Sequence, residues 1–397
     1  MPKIESGYIK KELPKSVEKL GIILFVIGAV ASLIGFIMDP VRGSYSYLVA
    51  FLFLLSVSVG SLLLVAIEYA SGATWSTPFR RISEFFASTI PLLIILVIPL
   101  FFNLHNLFNW THSSIVAKDK ILQLKSAYLN SPFFDVRVWV ILFIWLFFYI
   151  FMIKNSRKQD ISGDQLLTKR NITLSVIFIP VFAVTITIQS IDWIMSLESR
   201  WFSTIFGVYV FAGIMCVALA VTLYAAILLK EHGFLPAKIK DDHFYSLSTL
   251  LFAFISFWAY IAFAQYLLQW YGNLPEETFW FMQRWNGGWK IISVIIIFGH
   301  FLIPFFALLS YKAKTDLKRL KFIAIWIMAM HFIDIYWMVM PSMKNNGLQY
   351  SFSWMDISFL LAVIGLILFM FYKMVQKHNL IPINDPKLQR GLDFQLK

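Results

Sequence analysis

Cysteine is all but missing from this sequence: Cys216 is the single one in 397 residues. One thiol cannot build a CxxCH haem attachment, a zinc cluster or an iron–sulfur ligand set. If redox chemistry is involved, its metal belongs to another chain or its carrier is organic. Cys216 itself falls inside an apolar run and reads as a small packing residue. Charge is scarce as well. Only 14% of residues are Asp, Glu, Lys or Arg, and the acidic ones are the rarer, 22 against 34 basic. The positive residues are spread over separate segments, so the net charge of +12 does not form the basic face that nucleic acid requires. No polar stretch is long enough for a large soluble domain.

What the sequence has instead is apolar surface: 59% of residues, with a mean hydropathy of +0.72. That composition belongs to an integral membrane protein. About 20 helical residues cross the hydrocarbon, and ten runs of that kind occur, at about 20–38, 46–68, 82–104, 136–153, 172–194, 203–229, 244–270, 289–310, 320–342 and 354–374. Tyr45, Tyr47, Trp139, Trp201, Tyr271, Trp289 and Trp354 flank them as an interfacial belt. Barrel strands would be about ten residues long and alternate in polarity, which these runs do not. The fold class predicted is an all-α polytopic membrane protein. With ten spans both termini share a side, and 25 of the 34 Lys and Arg lie on it, so both termini are expected in the cytoplasm.

The division expected is a cytoplasmic segment 1–19, a ten-helix domain 20–375 and a cytoplasmic tail 376–397. The first segment is too long and charged for the n-region of a cleaved signal, so the first helix is expected to be retained. The loops 105–135 and 271–288 fall outside. The second, "YGNLPEETFWFMQRWNGGWK", reads as a folded cap buried against a partner. The tail, with "NLIPINDPK", reads as an arm that docks on a neighbour.

Two stretches place a carboxylate in an apolar run: "IQSIDWIMSLE" at 188–198 and "HFIDIYWMVMP" at 331–341. They lie four spans apart, so both would face the outer side, as a parallel repeat of two four-helix bundles, spans 2–5 and 6–9, would give. An Asp at a helix centre costs about 2.5–3.5 kcal/mol on insertion scales, so it must meet protein or water. Gln189 precedes Asp192, and His331 precedes Asp334, by three residues, on one helical face. His300 and His331 fall near the midplane, Glu68 and Glu84 at the inner mouth, His105 outside; Gln265 and Tyr260 add polarity in the outer half of span seven. Titratable groups graded in depth suit a proton pathway through Glu68, Glu84, His105, Gln189, Asp192, His300, His331 and Asp334. Plainer readings stand beside it. Asp192 is near enough to the interface to be hydrated, Asp334 and His331 make a structural hydrogen-bonded pair, His300 is a packed core histidine, Gln265 and Tyr260 are interhelical contacts, and Glu68 and Glu84 pair with Arg80 and Arg81. A b-type haem between His300 and His331 is a further alternative. A transporter is disfavoured: Pro91, Pro99, Pro180 and Pro304 kink single spans, but no paired broken half-helices occur.

The stretches "EYASGATWSTPFRRISEFFASTIPLL", "SIDWIMSLESRWFSTIFGVYVFAG" and "QYLLQWYGNLPEETFWFMQRWNGGWK" resemble the ActF-type membrane subunits of bacterial Alternative Complex III, within the wider NrfD/polysulfide-reductase membrane-subunit family. The resemblance covers about residues 20–375. It implies two four-helix bundles with a further helix on each side, in the bacterial inner membrane. It also implies an accessory place in a quinol:cytochrome c oxidoreductase. The partners would be an ActC-like quinol-binding membrane subunit, an iron–sulfur subunit, c-type haem subunits, small membrane subunits and lipids. Iron–sulfur clusters and haem c would sit in those partners, with no haem or metal on this chain. Its own role would be scaffold, proton pathway, or a second place for quinone, for which no residue set is evident. A purely structural subunit with inert polar residues is the competing reading.

Overall fold

The computed structural model describes residues 12–343 and 352–396, so most of the 1–19 segment lies outside the described residues. Ten helices are long and apolar enough to cross a membrane, as the sequence predicts: α1 Lys15–Met38, α2 Pro40–Ser71, α3 Thr77–Phe102, α4 Ser131–Ser162, α5 Leu166–Trp193, α6 Phe206–Glu231, α7 Asp241–Gly272, α8 Trp289–Ala307, α9 Leu317–Ser342 and α10 Trp354–Lys377. No strand occurs among the described residues. Several helices outrun the apolar runs that reveal them, α2, α4 and α7 each reaching 32 residues, because local signals rather than hydropathy set their ends. Asp39 caps α2 by accepting the Arg42 N–H at 3.0 Å, Pro40 takes the first position, and Gly72 in the left-handed region (φ 70°) stops it.

Two helices form the centre. The apolar windows of α2 and α6 are 94% and 89% buried, against 22–56% for the other eight. They meet where α2 carries Gly60: a Cβ there would stand 2.8 Å from Ile214 Cγ2 and 2.9 Å from the Ala218 Cβ. Around this axis α2 packs on α3, α5, α9 and α10, and α6 on α5, α7 and α9. α1 and α10 lie along one another, their closest approach lined by Gly28 and Gly365. Lys373 pairs with Glu18 at 2.6 Å where α1 begins and α10 ends, so the described ends of the chain share one side of the bundle.

Proline and bulges shape two spans. α3 runs in three pieces, Thr77–Ala87, Ile90–Leu96 and Ile98–Phe102, with Pro91 and Pro99 each in the first turn of a new piece. α8 contains a π turn, Ile297–Leu302, just before Pro304.

Both ends of the bundle carry folded extensions. The cap at 271–288 is folded around the helix Pro275–Arg284, and it packs on this chain while Tyr271, Met282 and Trp285 stay exposed. Trp280 stacks on Trp201 at 4.4 Å. The Arg284 guanidinium lies 3.5 Å over the Trp280 ring and donates to the Trp337 and Met338 carbonyls at 3.0 and 2.7 Å, closing the end of α9. The tail does not run out as an extended arm. It folds back beneath its own bundle, because that face offers buried cations and carbonyl partners. Asp385 pairs with Arg80 at 2.6 Å, Asn384 donates to the Asp160 carbonyl at 2.8 Å, and Leu388 and Leu392 are buried.

Two outcomes test this docking. Arg80→Ala strands Glu68 and Asp385 as buried carboxylates and should cost about 3–5 kcal/mol, read as a lowered denaturation midpoint with a tail that becomes protease-sensitive. His378, where the tail leaves α10, is held down at about 4 by burial and then by Arg157 and Arg81. The folded state therefore favours its neutral form. The dock is at full strength above its ordinary value of 6.5 and weakens as pH falls from there toward 4. Tail proteolysis should rise over that window; a flat profile contradicts the assignment.

Candidate functional site

The polar centre of the fold is built on α9. Asp334 is buried, and both its oxygens are held by neutral donors: the Tyr209 hydroxyl of α6 donates to Oδ1, and Trp258 Nε1 of α7 donates to Oδ2 at 3.2 Å. Trp258 does a second job. Its ring lies flat on the imidazole of His300 in α8, with centroids 3.9 Å apart and planes 21° apart. His300 is presented by the π turn, a distortion that frees a backbone carbonyl. The Gly299 carbonyl is met by Trp326 Nε1 at 2.7 Å. On the other side His331 leans on α6 at Gly213, where a Cβ would come within 2.9 Å of its Cε1 and 3.0 Å of its Nδ1. Only glycine leaves that ring its place.

Both histidines are fully enclosed, and their four ring nitrogens have no hydrogen-bond partner among the described residues. One nitrogen from each and an Asp334 oxygen lie within 4.8 Å of one another. The expected Asp334–His331 hydrogen bond is not formed; Tyr209 and Trp258 donate to the carboxylate instead. Asp334 is in no ion pair among the described residues.

Asp192, its counterpart in the look-alike stretch, is answered in a different way. Arg137 of α4 grips it with two parallel bonds, Nε to Oδ2 and Nη2 to Oδ1, each 2.9 Å. The Tyr128 hydroxyl adds a third at 3.0 Å, and the guanidinium lies 3.8 Å over the Tyr128 ring. Asp192 is fully buried and is not joined to Gln189. Gln189, one turn earlier, instead lines a cavity of about 20 Å³ together with His331 and Asp334.

The remaining candidates lie elsewhere. Glu68 and Glu84 are ion-paired, as the plainer reading had it: Arg80 bonds Glu68 at 3.2 Å, and Arg81 bonds Glu84 at 2.5 Å and Asp160 at 2.7 Å. His105 is exposed in the loop between α3 and α4, bonded to Thr111 at 3.0 Å. Gln265 is buried, whereas Tyr260 faces outward and joins nothing here. Of the eight expected pathway residues the structure brings together His300, His331 and Asp334, with Gln189 across the cavity. Tyr209, Trp258 and Gly213 were not foreseen; inside apolar runs such residues look like core.

A haem between the two histidines does not fit. The cavity beside His331 has the volume of about one water, and His300 is covered by indole. As a metal set the triad offers three donors, one from each residue. A larger cavity, about 510 Å³, opens between α1, α2, α3 and α10. The polar side chains on its wall all have partners within the chain, Tyr47 to the Leu96 carbonyl and Ser32 to Ser358 among them. Its surface suits an alkyl chain better than a quinone head. A scan of protein-family models and a search of curated proteins found no match to this chain.

Two measurements follow. Arg137→Ala should cost about 3–5 kcal/mol by leaving Asp192 buried with one neutral donor, and adding Asp192→Leu should recover part of that loss in a denaturation cycle. The purified chain should show no stoichiometric haem absorbance; a Soret band lost in His300→Ala would overturn the volume argument.

Proposed function

We propose that this integral membrane protein is an ActF-like subunit of a quinol-oxidising complex of the Alternative Complex III type. In that reading it lies beside an ActC-like subunit in the bacterial inner membrane, with both termini cytoplasmic. Its helices α2–α5 and α6–α9 would form two bundles, flanked by α1 and α10. It serves as scaffold and carries a proton-exchanging station at Asp334, while quinol chemistry, clusters and haems belong to partner chains. The sequence stretches that resemble the family support the first part. The second rests on one contrast: Asp192 is neutralised by Arg137, whereas Asp334 is buried with neutral donors only. A carboxylate locked to a guanidinium has no reason to take up a proton. One held by a hydroxyl and an indole, beside two imidazoles with unused nitrogens, has the chemistry to exchange one.

The pathway is accordingly shorter than the eight residues first considered. Its core is Asp334, Tyr209, His331 and His300; Glu68, Glu84 and Asp192 belong to ion pairs that hold helices together.

Asp334→Asn keeps the shape and removes the titrating proton, and the Tyr209 hydroxyl can turn to accept from the amide. The variant complex should assemble, still reduce its electron acceptor, and move protons across the membrane at least tenfold less per electron. An unchanged proton-to-electron ratio would leave the chain as scaffold alone.

A further inference from the structure

The cavity beside His331 lies where α2, α5, α6 and α9 cross, and it joins groups that no other contact explains. Its wall includes Ser56, Gln189, Gly213, His331, Asp334 and Met338. Among the described residues Gln189 Oε1 and both ring nitrogens of His331 have no partner, and both residues are at least 97% buried. Ser56 gives its proton to the Leu52 carbonyl at 2.8 Å and keeps lone pairs to offer. Each buried polar atom left unanswered costs about 1–3 kcal/mol. A water needs about 10–15 Å³ of accessible volume and two to four polar partners. This cavity, at about 20 Å³, has room for a water.

We propose that it is a binding site for a single structural water, which donates to Gln189 Oε1 and bonds a ring nitrogen of His331. Gln189 is then a positioning residue. Its carbonyl fixes the water, the water fixes the tautomer and orientation of His331, and α5 is tied to α9 without a direct bond. Gly213 is part of the same device, since a side chain there would drive the His331 ring toward the water. The hydration site stands on volume and unpartnered atoms alone. Its consequence rests on the proton-exchange reading: the water links the Asp334 station to α5, so a proton on His331 has a route out of the triad.

Radiolytic hydroxyl-radical footprinting of the full chain in its native membrane reads such a water directly, because radicals made from a bound water oxidise the side chains around it. Met338, 2% exposed, lines the cavity; Met215 and Met152, both fully buried, do not. Oxidation of Met338 should exceed that of Met215 and Met152 at least fivefold. Gln189→Leu should bring it down to their level, with exposed Met282 unchanged. Gly213→Ala crowds the same space from the opposite wall and should do likewise. Met338 at the level of Met215 in the wild-type chain, or oxidised equally in the wild type and the variants, overturns the water site, and the wild-type result decides even if a variant fails to fold. A water that persists while Asp334→Asn leaves proton movement intact would overturn the proton reading and spare the water.

Discussion

Hydrocarbon offers no hydrogen bonds, so a polar side chain inside a membrane bundle must be answered by the protein itself. This chain answers in two ways. Toward the ends of the helices the answer is opposite charge: Arg137 for Asp192 near one end, and Arg80 and Arg81 for Glu68, Glu84, Asp160 and Asp385 near the other. At the centre of the α6–α9 crossing the answer is neutral, a phenol and an indole for Asp334, with two imidazoles left unpartnered beside it.

The difference separates holding from doing. Removing one member of a buried ion pair is expensive, about 3–5 kcal/mol, so the arginine clusters act as clamps. The one at the described termini joins α2, α3 and α4 to the tail, and Asp385 completes it. The opposite one ties α4 to α5, and Arg284 closes α9 there by binding its last carbonyls. Between these clamps the π turn of α8 and the small residue Gly213 loosen the packing just enough to hold two histidines near a carboxylate. A rigid frame with an uncommitted centre is what a proton-exchanging scaffold needs.

The spans were legible because hydropathy over twenty residues is a local property, and so was the ion pairing of Glu68 and Glu84, because Arg80 and Arg81 lie between them, twelve residues or fewer from each partner. The fates of the two aspartates were not. Their stretches share an Ile-Asp pair with Trp and Met soon after, but Arg137 lies 55 residues from Asp192, while Trp258 and Tyr209 lie 76 and 125 residues from Asp334. Spacing on one helix pointed to a His331–Asp334 bond; helices from elsewhere in the chain supplied better donors. The π turn has no signature that a hydropathy pattern carries, so the stacking of His300 on Trp258 could not be read. The tail was misread for the same reason: its polar sequence shows the need for partners, and only the fold shows that Arg80 and Asp160 are in reach.

The central claim is that, of two look-alike carboxyls, Asp334 exchanges a proton and Asp192 does not. Infrared difference spectroscopy on the membrane-embedded complex, triggered by quinol addition, detects the carbonyl stretch of a carboxyl whose protonation changes. The account predicts a carboxyl band that Asp334→Asn abolishes and Asp192→Asn leaves in place. A band that survives Asp334→Asn, or one that disappears with Asp192→Asn, would contradict it.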